Sequence, residues 1–249
     1  MDRQKEIAWL IKEKYHGKVT KKTPRDIERI KNGEPVDYVI GFVDFLGCRI
    51  DLSLRPFIPE EETAFWVGSA VEEIKNSDIK EPRILDLFAG SGAIGIALLR
   101  HISFARVDFA EKEKKFLMQV EANTIINEID STRYRIIQSD VFKKIQGVYD
   151  YIFANPPYLA KARIDDVQKS VLDWEPHGAL FGGEDGLDFI KILLSDAKKY
   201  LNKDGVLYIE FDSWQKPRIE KFFKQYEWKE YEFRKDQFKK WRWVKVVKN

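Results

Sequence analysis

Beyond residue 82 the chain alternates short apolar runs with amphipathic stretches, and nothing else in it limits the fold so tightly. Strands are predicted at Arg83–Leu87, Arg106–Ala110, Tyr134–Ile137, Tyr149–Ala154 and Gly205–Phe211. Helices are predicted at Ala93–His101, Lys112–Asn127 and Leu187–Tyr200. Such alternation builds a parallel sheet covered by helices on both faces. The end breaks the pattern. A predicted helix at Pro217–Gln225 precedes two aromatic strand-like runs, Trp228–Phe233 and Trp241–Val247. No helix separates them, so they should close the sheet as an antiparallel pair.

The front of the chain has another character. Residues 1–31 predict one or two short helices, with Ile7, Leu10 and Ile11 on one stripe and Ile27 and Ile30 on another. Asn32-Gly33 ends them. The run from Pro35 to Pro59 is rich in β-branched and aromatic residues and is broken by Gly41, Gly47 and Pro56. It predicts a short strand pair. A helix follows from Glu62 to about Lys75. The expected organisation is a helical segment over residues 1–40, a β-hairpin hinge over 41–61 and an α/β domain over 62–249.

Composition excludes several classes. With 249 residues, 44% hydrophobic, the chain can bury a large core. Its one cysteine, Cys48, cannot form an internal disulfide, which suits a reducing compartment. Cys48 lies in an apolar run and is expected to be a packed core thiol. His16, His101 and His177 are scattered without ligand spacing, so no metal is expected. The longest uncharged run, Leu87–Leu99, is too short and glycine-rich to span a membrane. The charged N-terminus carries no signal-peptide core. A soluble cytoplasmic protein is expected. The net charge of +2 hides a segregation: residues 1–31 carry +5, residues 216–249 carry +7, and the middle carries −10. Basic ends suit contact with the ribosome or RNA, or form ordinary solvated faces.

Two constellations carry chemistry. The first runs Ile84-Leu-Asp-Leu-Phe-Ala-Gly-Ser-Gly-Ala-Ile-Gly95, a strand entering a G-x-G-x-x-G turn and then a helix. Such a turn leaves room for a ligand against bare backbone. Glu111 follows Gly90 by 21 residues, at the end of the next strand, where it can hold ribose hydroxyls. A nucleoside cofactor is expected. Glycines alone would permit a dinucleotide. Asp86, inside the strand, favours S-adenosylmethionine instead, because a carboxylate there can orient the loop and reach the cationic end of that cofactor.

The second constellation is Asp150-Tyr-Ile-Phe-Ala-Asn-Pro-Pro-Tyr158, at the carboxyl end of a strand, where open α/β sheets bind ligands. Paired prolines fix the backbone and donate no hydrogen bond, leaving carbonyls free. The Asn155 side-chain oxygen and the Pro156 carbonyl can together hold both hydrogens of a planar –NH2. Tyr158 offers a flat face to the same group. Alignment at a sulfonium methyl then needs neither metal nor prior proton abstraction.

Asn155-Pro-Pro-Tyr158 with Asp86 and Gly90-Ser-Gly92 resembles the class I methyltransferases of planar nitrogens. These include nucleic-acid adenine and guanine methyltransferases and the glutamine methyltransferases of peptide chain release factors. Gly33–Gly41 with Phe45-Leu-Gly47, Glu175–Leu187, Gly205–Glu210 with Gln215, and Lys235-Asp236 with Arg242 favour the release-factor group. That resemblance spans about residue 26 to the end. It implies a Rossmann-like sheet of seven strands, mostly parallel, and transfer of a methyl group to glutamine in a Gly-Gly-Gln loop. Candidate cofactor contacts are Asp86, Phe88, Ala89, Gly90, Gly92, Glu111, Asp140, Val141 and Asn155. Asn155, Pro156 and Tyr158 are the candidate catalytic residues, and Pro157 and Glu175 would contact substrate. A release factor is the implied partner, and a monomer is expected. The alternative is an RNA or DNA exocyclic-amine methyltransferase acting on adenine or guanine; a non-catalytic scaffold and a nicotinamide dehydrogenase are further rivals.

The chain departs from the resembled hinge, Ile-Pro-Arg-Pro-Glu-Thr-Glu, by reading Ile58-Pro-Glu-Glu-Glu-Thr-Ala64. Asp212 stands where that family has a glycine, and the helical front is short. Trp174 and Glu175 either line the substrate mouth or anchor a loop. The nine aromatics between Phe222 and Trp243 are expected to cover helices rather than stack bases.

Overall fold

A computed structural model describes residues 2–248. The front holds helices α1 (Arg3–Glu13), α2 (Thr23–Lys31) and α3 (Val36–Ile40). They share a small core of Leu10, Ile30, Val36, Val39 and Ile40. Helix α3 lies where only strands are expected. Pro35 starts it and Gly41 ends it, and the five-residue turn buries Val36, Tyr38, Val39 and Ile40. Burial on the N-terminal helices here overrides β propensity.

The hairpin β1 (Phe42–Phe45) and β2 (Cys48–Asp51) follows. Phe45, Cys48 and Ile50 join the main core, so the hairpin is part of the larger body. Its outer edge meets side chains rather than another strand. Helix α4 (Glu61–Lys75), strand β3 (Arg83–Leu87), helix α5 (Ala93–His101), strand β4 (Arg106–Glu111) and helix α6 (Lys114–Ile126) come next. From α6 and its C-cap, Gln119, Asn123 and Asn127 accept hydrogen bonds from the backbone N–H groups of Leu54, Asp51 and Arg49 at 2.8–3.0 Å. A spacing of four places the three amides on one helix face, where they finish the β2 edge.

The chain continues through β5 (Tyr134–Gln138), β6 (Tyr149–Ala154), α7 (Lys169–Trp174), α8 (His177–Leu180), α9 (Asp188–Asp196), β7 (Leu201–Glu210), α10 (Lys216–Gln225), β8 (Glu230–Lys235) and β9 (Trp241–Val247). Seven strands form one sheet in the order β5-β4-β3-β6-β7-β9-β8. The first five are parallel, and β9 and β8 close the edge antiparallel. Strand β7 starts at Leu201, earlier than expected, because a bulge over the polar Asn202–Gly205 stretch hides its beginning. Phe211, expected in the strand, lies just beyond it.

The topology positions the site. The chain winds one way from β3 to β4 and β5, and the other way from β6 to β7. Strands β3 and β6 are neighbours in register, with Leu87 beside Ala154. The loops leaving them, Phe88–Gly92 and Asn155–Tyr158, therefore open side by side at the switch point.

Candidate active site

One cavity of about 530 Å³ runs along the carboxyl ends of β3, β4 and β6. That suits a small organic ligand. Phe88, Ala89, Gly90, Glu111, Asp140 and Val141 line one end; Asn155, Pro156, Pro157, Tyr158 and Glu175 line the other. Phe88 and Val141 adopt φ of 60° and 52°. For a bulky and a β-branched residue such angles are strained, and both strained residues stand on the cavity wall.

Two expected cofactor contacts lie behind that wall. Gly92 opens α5 at φ 81°, and a Cβ there would press Val120 at 3.3 Å. Asp86 is buried beneath the loop, and its Oδ2 accepts from the Gly95 N–H at 2.9 Å. Its other oxygen is buried without a partner. Burial, with the Glu111 charge assisting, pushes Asp86 up to about 7. Glu111 reaches back to the glycine loop. Its Oε2 accepts from Gly90 N–H at 2.9 Å, and its Oε1 accepts from Lys112 and Glu113 N–H at 2.7 and 2.9 Å. These bonds take three of a carboxylate's roughly four acceptor positions. Asp140 is held below the usual carboxylate range by a hydrogen bond from Lys143 at 2.6 Å.

The amide end is built from distant parts of the chain. Fully buried Glu210, at the end of β7, accepts at Oε2 from the Thr63 hydroxyl and the Trp66 indole N–H, both at 2.6 Å. Its Oε1 accepts from the Tyr158 hydroxyl at 3.0 Å. Trp66 is itself fixed by stacking among Phe153, Tyr208 and Trp243. Thr63 spends its proton on Glu210, so its oxygen accepts from Asn155 Nδ2, at 3.3 Å. That sets the Asn155 amide with Oδ1 away from Thr63. Neither Asn155 Oδ1 nor the Pro156 carbonyl meets a donor among the described residues.

A second layer holds the loop. Gln215 Nε2 donates to the Tyr158 and Gly186 carbonyls at 2.9 and 3.0 Å. Leu159 N–H donates to Leu180, and Gly182 N–H donates to Leu159. The 175–187 run thus forms the bed of the Asn155–Tyr158 loop. Glu175 lines the cavity and also anchors the hinge, accepting from Ile58 N–H at 3.2 Å. Burial pushes it up to about 7. Trp174 packs on the core under the Arg55 guanidinium, as a loop anchor. Glu210, Thr63 and Trp66 had no local signal as site residues. Glu60, noted as a hinge departure, lines the cavity beside Thr63.

The residues fit S-adenosylmethionine. Carboxylates Glu111 and Asp140 face one end, bare backbone lies at Gly90, and a buried carboxyl oxygen of Asp86 stands unpaired beneath the loop. Fold and cavity define a class I methyltransferase dependent on that cofactor. Residues 69–173 match the methyltransferase small domain family. Release factor glutamine methyltransferases are similar over most of the chain. That of Borreliella burgdorferi is 33% identical, covering 79% of this chain and 67% of the relative. That of Thermodesulfovibrio yellowstonii is 31% identical, covering 78% and 69%. That of Rhodopirellula baltica is 32% identical, covering 74% and 63%. The chain spans about two thirds of these relatives' lengths. It belongs to the release factor glutamine methyltransferase family. Among solved structures, the human METTL16 catalytic domain bound to an RNA hairpin superposes with a TM-score of 0.63 at 15% identity, covering 82% of this chain and 76% of that one. The Thermus thermophilus 16S rRNA N2 G1207 methyltransferase gives 0.58 at 16%, covering 84% and 50%. At such identities the likeness is one of fold.

Proposed function

We propose that the chain transfers a methyl group from S-adenosylmethionine to the side-chain amide nitrogen of glutamine in the Gly-Gly-Gln motif of peptide chain release factors. The observation that carries this is the pair of acceptors, Asn155 Oδ1 and Pro156 O, left without donors among the described residues at the cavity wall. Together they accept both hydrogens of an amide –NH2 and turn its nitrogen toward the cofactor end. When bound, S-adenosylmethionine would supply a sulfonium methyl whose sulfur leaves as a neutral thioether, and the methylated nitrogen then gives up one proton to water. Glu111, Asp140, Phe88, Ala89, Gly90 and Val141 hold the cofactor, with Asp86 and Gly92 shaping the loop from behind. Tyr158 and Pro157 pack on the acceptor, and Glu175 joins its pocket to the hinge. Catalysis is then mostly alignment in a walled cavity.

Residues 1–40 act as the docking segment, 41–61 as hinge and 62–249 as the catalytic domain. Basic side chains at both ends approach the ribosome or RNA around a release factor, and the enzyme works as a cytoplasmic monomer. Incubation with methyl-labelled cofactor, a release factor and RNA side by side tests the reading. Label should enter the Gly-Gly-Gln peptide. Cofactor binding without label there would refute the substrate, and label in RNA would turn the reading to an exocyclic base amine.

A further inference from the structure

Once Asn155 and Pro156 hold both hydrogens of an amide, its carbonyl oxygen still needs a donor. The nearby hydroxyls are spent, because Thr63 and Tyr158 both donate to Glu210. Glu60 differs. It lines the same wall, and its carboxyl makes no hydrogen bond or ion pair among the described residues. We propose that Glu60 is a further acceptor-recognition residue: its carboxylic acid donates a hydrogen bond to the side-chain carbonyl oxygen of the amide whose nitrogen Asn155 and Pro156 hold. This rests on the glutamine-amide reading above.

Placement keeps the proton on Glu60. Glu60 and Glu175 line this end of the cavity, and Glu210 lies fully buried behind it. Burial raises Glu210 as well as Glu60, but three donors reach Glu210 and none among the described residues reaches Glu60, so the charge settles on Glu210 and the proton on Glu60. Burial, then the Glu210 charge, then Glu62 push Glu60 up to about 8, and Glu175 adds to this from the loop side. Arg242 acts against it from β9. Its guanidinium is engaged by Asp236 at 3.1 Å and lies 3.9 Å from Glu62. The remaining titratable neighbour, Tyr158, stays a phenol on Glu210.

The test is acceptor kinetics on a release factor from pH 7 to 9, with cofactor affinity and melting temperature measured in parallel. Glu60→Ala should raise the acceptor KM about tenfold at pH 7, the loss of one buried hydrogen bond. The wild type should approach that value as pH rises through about 8 and the donor ionises. Glu60→Gln keeps an N–H donor that does not titrate, so it should recover most of the loss and stay flat across the range. Wild-type KM unchanged between pH 7 and 9, or Glu60→Gln no better than Glu60→Ala, would overturn the role. A rate that instead climbs through pH 8 and vanishes in both variants would make Glu60 a base and also overturn it. Wild-type enzyme that methylates no release factor at pH 7 would fell the functional reading itself, and this inference with it.

Discussion

Gly186→Ala should damage catalysis from behind the active site. Gly186 sits at φ 67°, in the left-handed region. A Cβ there would fall inside the Tyr158 carbonyl oxygen and stand 2.7 Å from Gln215 Nε2 and 3.1 Å from Ala160 N. Two of these neighbours are backbone atoms, and the third is the buried amide that ties the bed to the loop. The left-handed backbone costs a side chain about 1–2 kcal/mol, and overpacking adds about 1–3 kcal/mol. A total near 3 kcal/mol lowers the melting temperature by roughly 6–12 °C in a chain of this size. The new methyl bears on the Tyr158 carbonyl, so relief on that side shifts the acceptor loop. A displacement of about 1 Å there should cost about a hundredfold in turnover. Thermal denaturation and single-turnover methyl transfer, both below the variant's melting range, measure the two effects separately. Turnover within threefold of wild type, alongside the expected loss of stability, would show that the acceptor loop does not lean on this bed.

Asn155→Ala should cut methyl transfer about a hundredfold, the scale of a lost transition-state contact; near-normal turnover in a labelled-methyl assay would remove Asn155 from its role. Thr63→Val takes one donor from Glu210 and the partner from Asn155 Nδ2. Chemical denaturation should report a loss of about 1–3 kcal/mol, and acceptor KM should rise with the freed amide. Asp86 binds its proton in the folded state up to about pH 7, whereas the unfolded chain loses it near 4. Stability from this group is complete below pH 4 and falls as pH rises to about 7, by on the order of 4 kcal/mol at most. Asp86→Asn should flatten that decline in denaturant titrations of the cofactor-free protein; an unchanged slope would mean that Asp86 is ionised at neutral pH.

The sheet was legible because its strands are short apolar runs bounded by punctuation. Strands Arg83–Leu87 and Tyr149–Ala154 and helix Ala93–His101 fall where the pattern places them. Both loops of the candidate site follow from those strands, since a ligand turn must begin where a strand ends. Helix α3 was illegible because four of its five residues favour strands, and they fold as helix only when Leu10 and Ile30 are there to receive them. The same holds for the Thr63–Glu210–Tyr158 cluster. Its members are 52 to 147 residues apart, and no local period reports such a meeting. Asp86 is the opposite case. The motif announced the carboxylate, one oxygen of which takes the Gly95 N–H of the helix that follows while the other stays unpaired.

Charge within the cavity follows from the same distances. At the cofactor end, three backbone N–H groups point at Glu111, and Lys143 holds Asp140 below its usual range. Negative charge is thus built in at the end that would hold the cofactor. At the acceptor end, burial pushes Glu60 up to about 8 and Glu175 up to about 7. Glu60 is therefore neutral near pH 7 and Glu175 is about half ionised, so this wall loses much of its charge. An amide is neutral and gains little from a nearby anion, while an ionised carboxylate beside it would compete with Asn155 and Pro156 for its two hydrogens. A protonated Glu60 leaves the amide hydrogens to the two acceptors and offers a donor to its oxygen, while the Glu210 charge stays behind the wall, held by Thr63, Trp66 and Tyr158. The cavity lining thus becomes less anionic along its length through hydrogen-bond supply, with Asp140 and Glu60 differing less in residue type than in the donors that reach them.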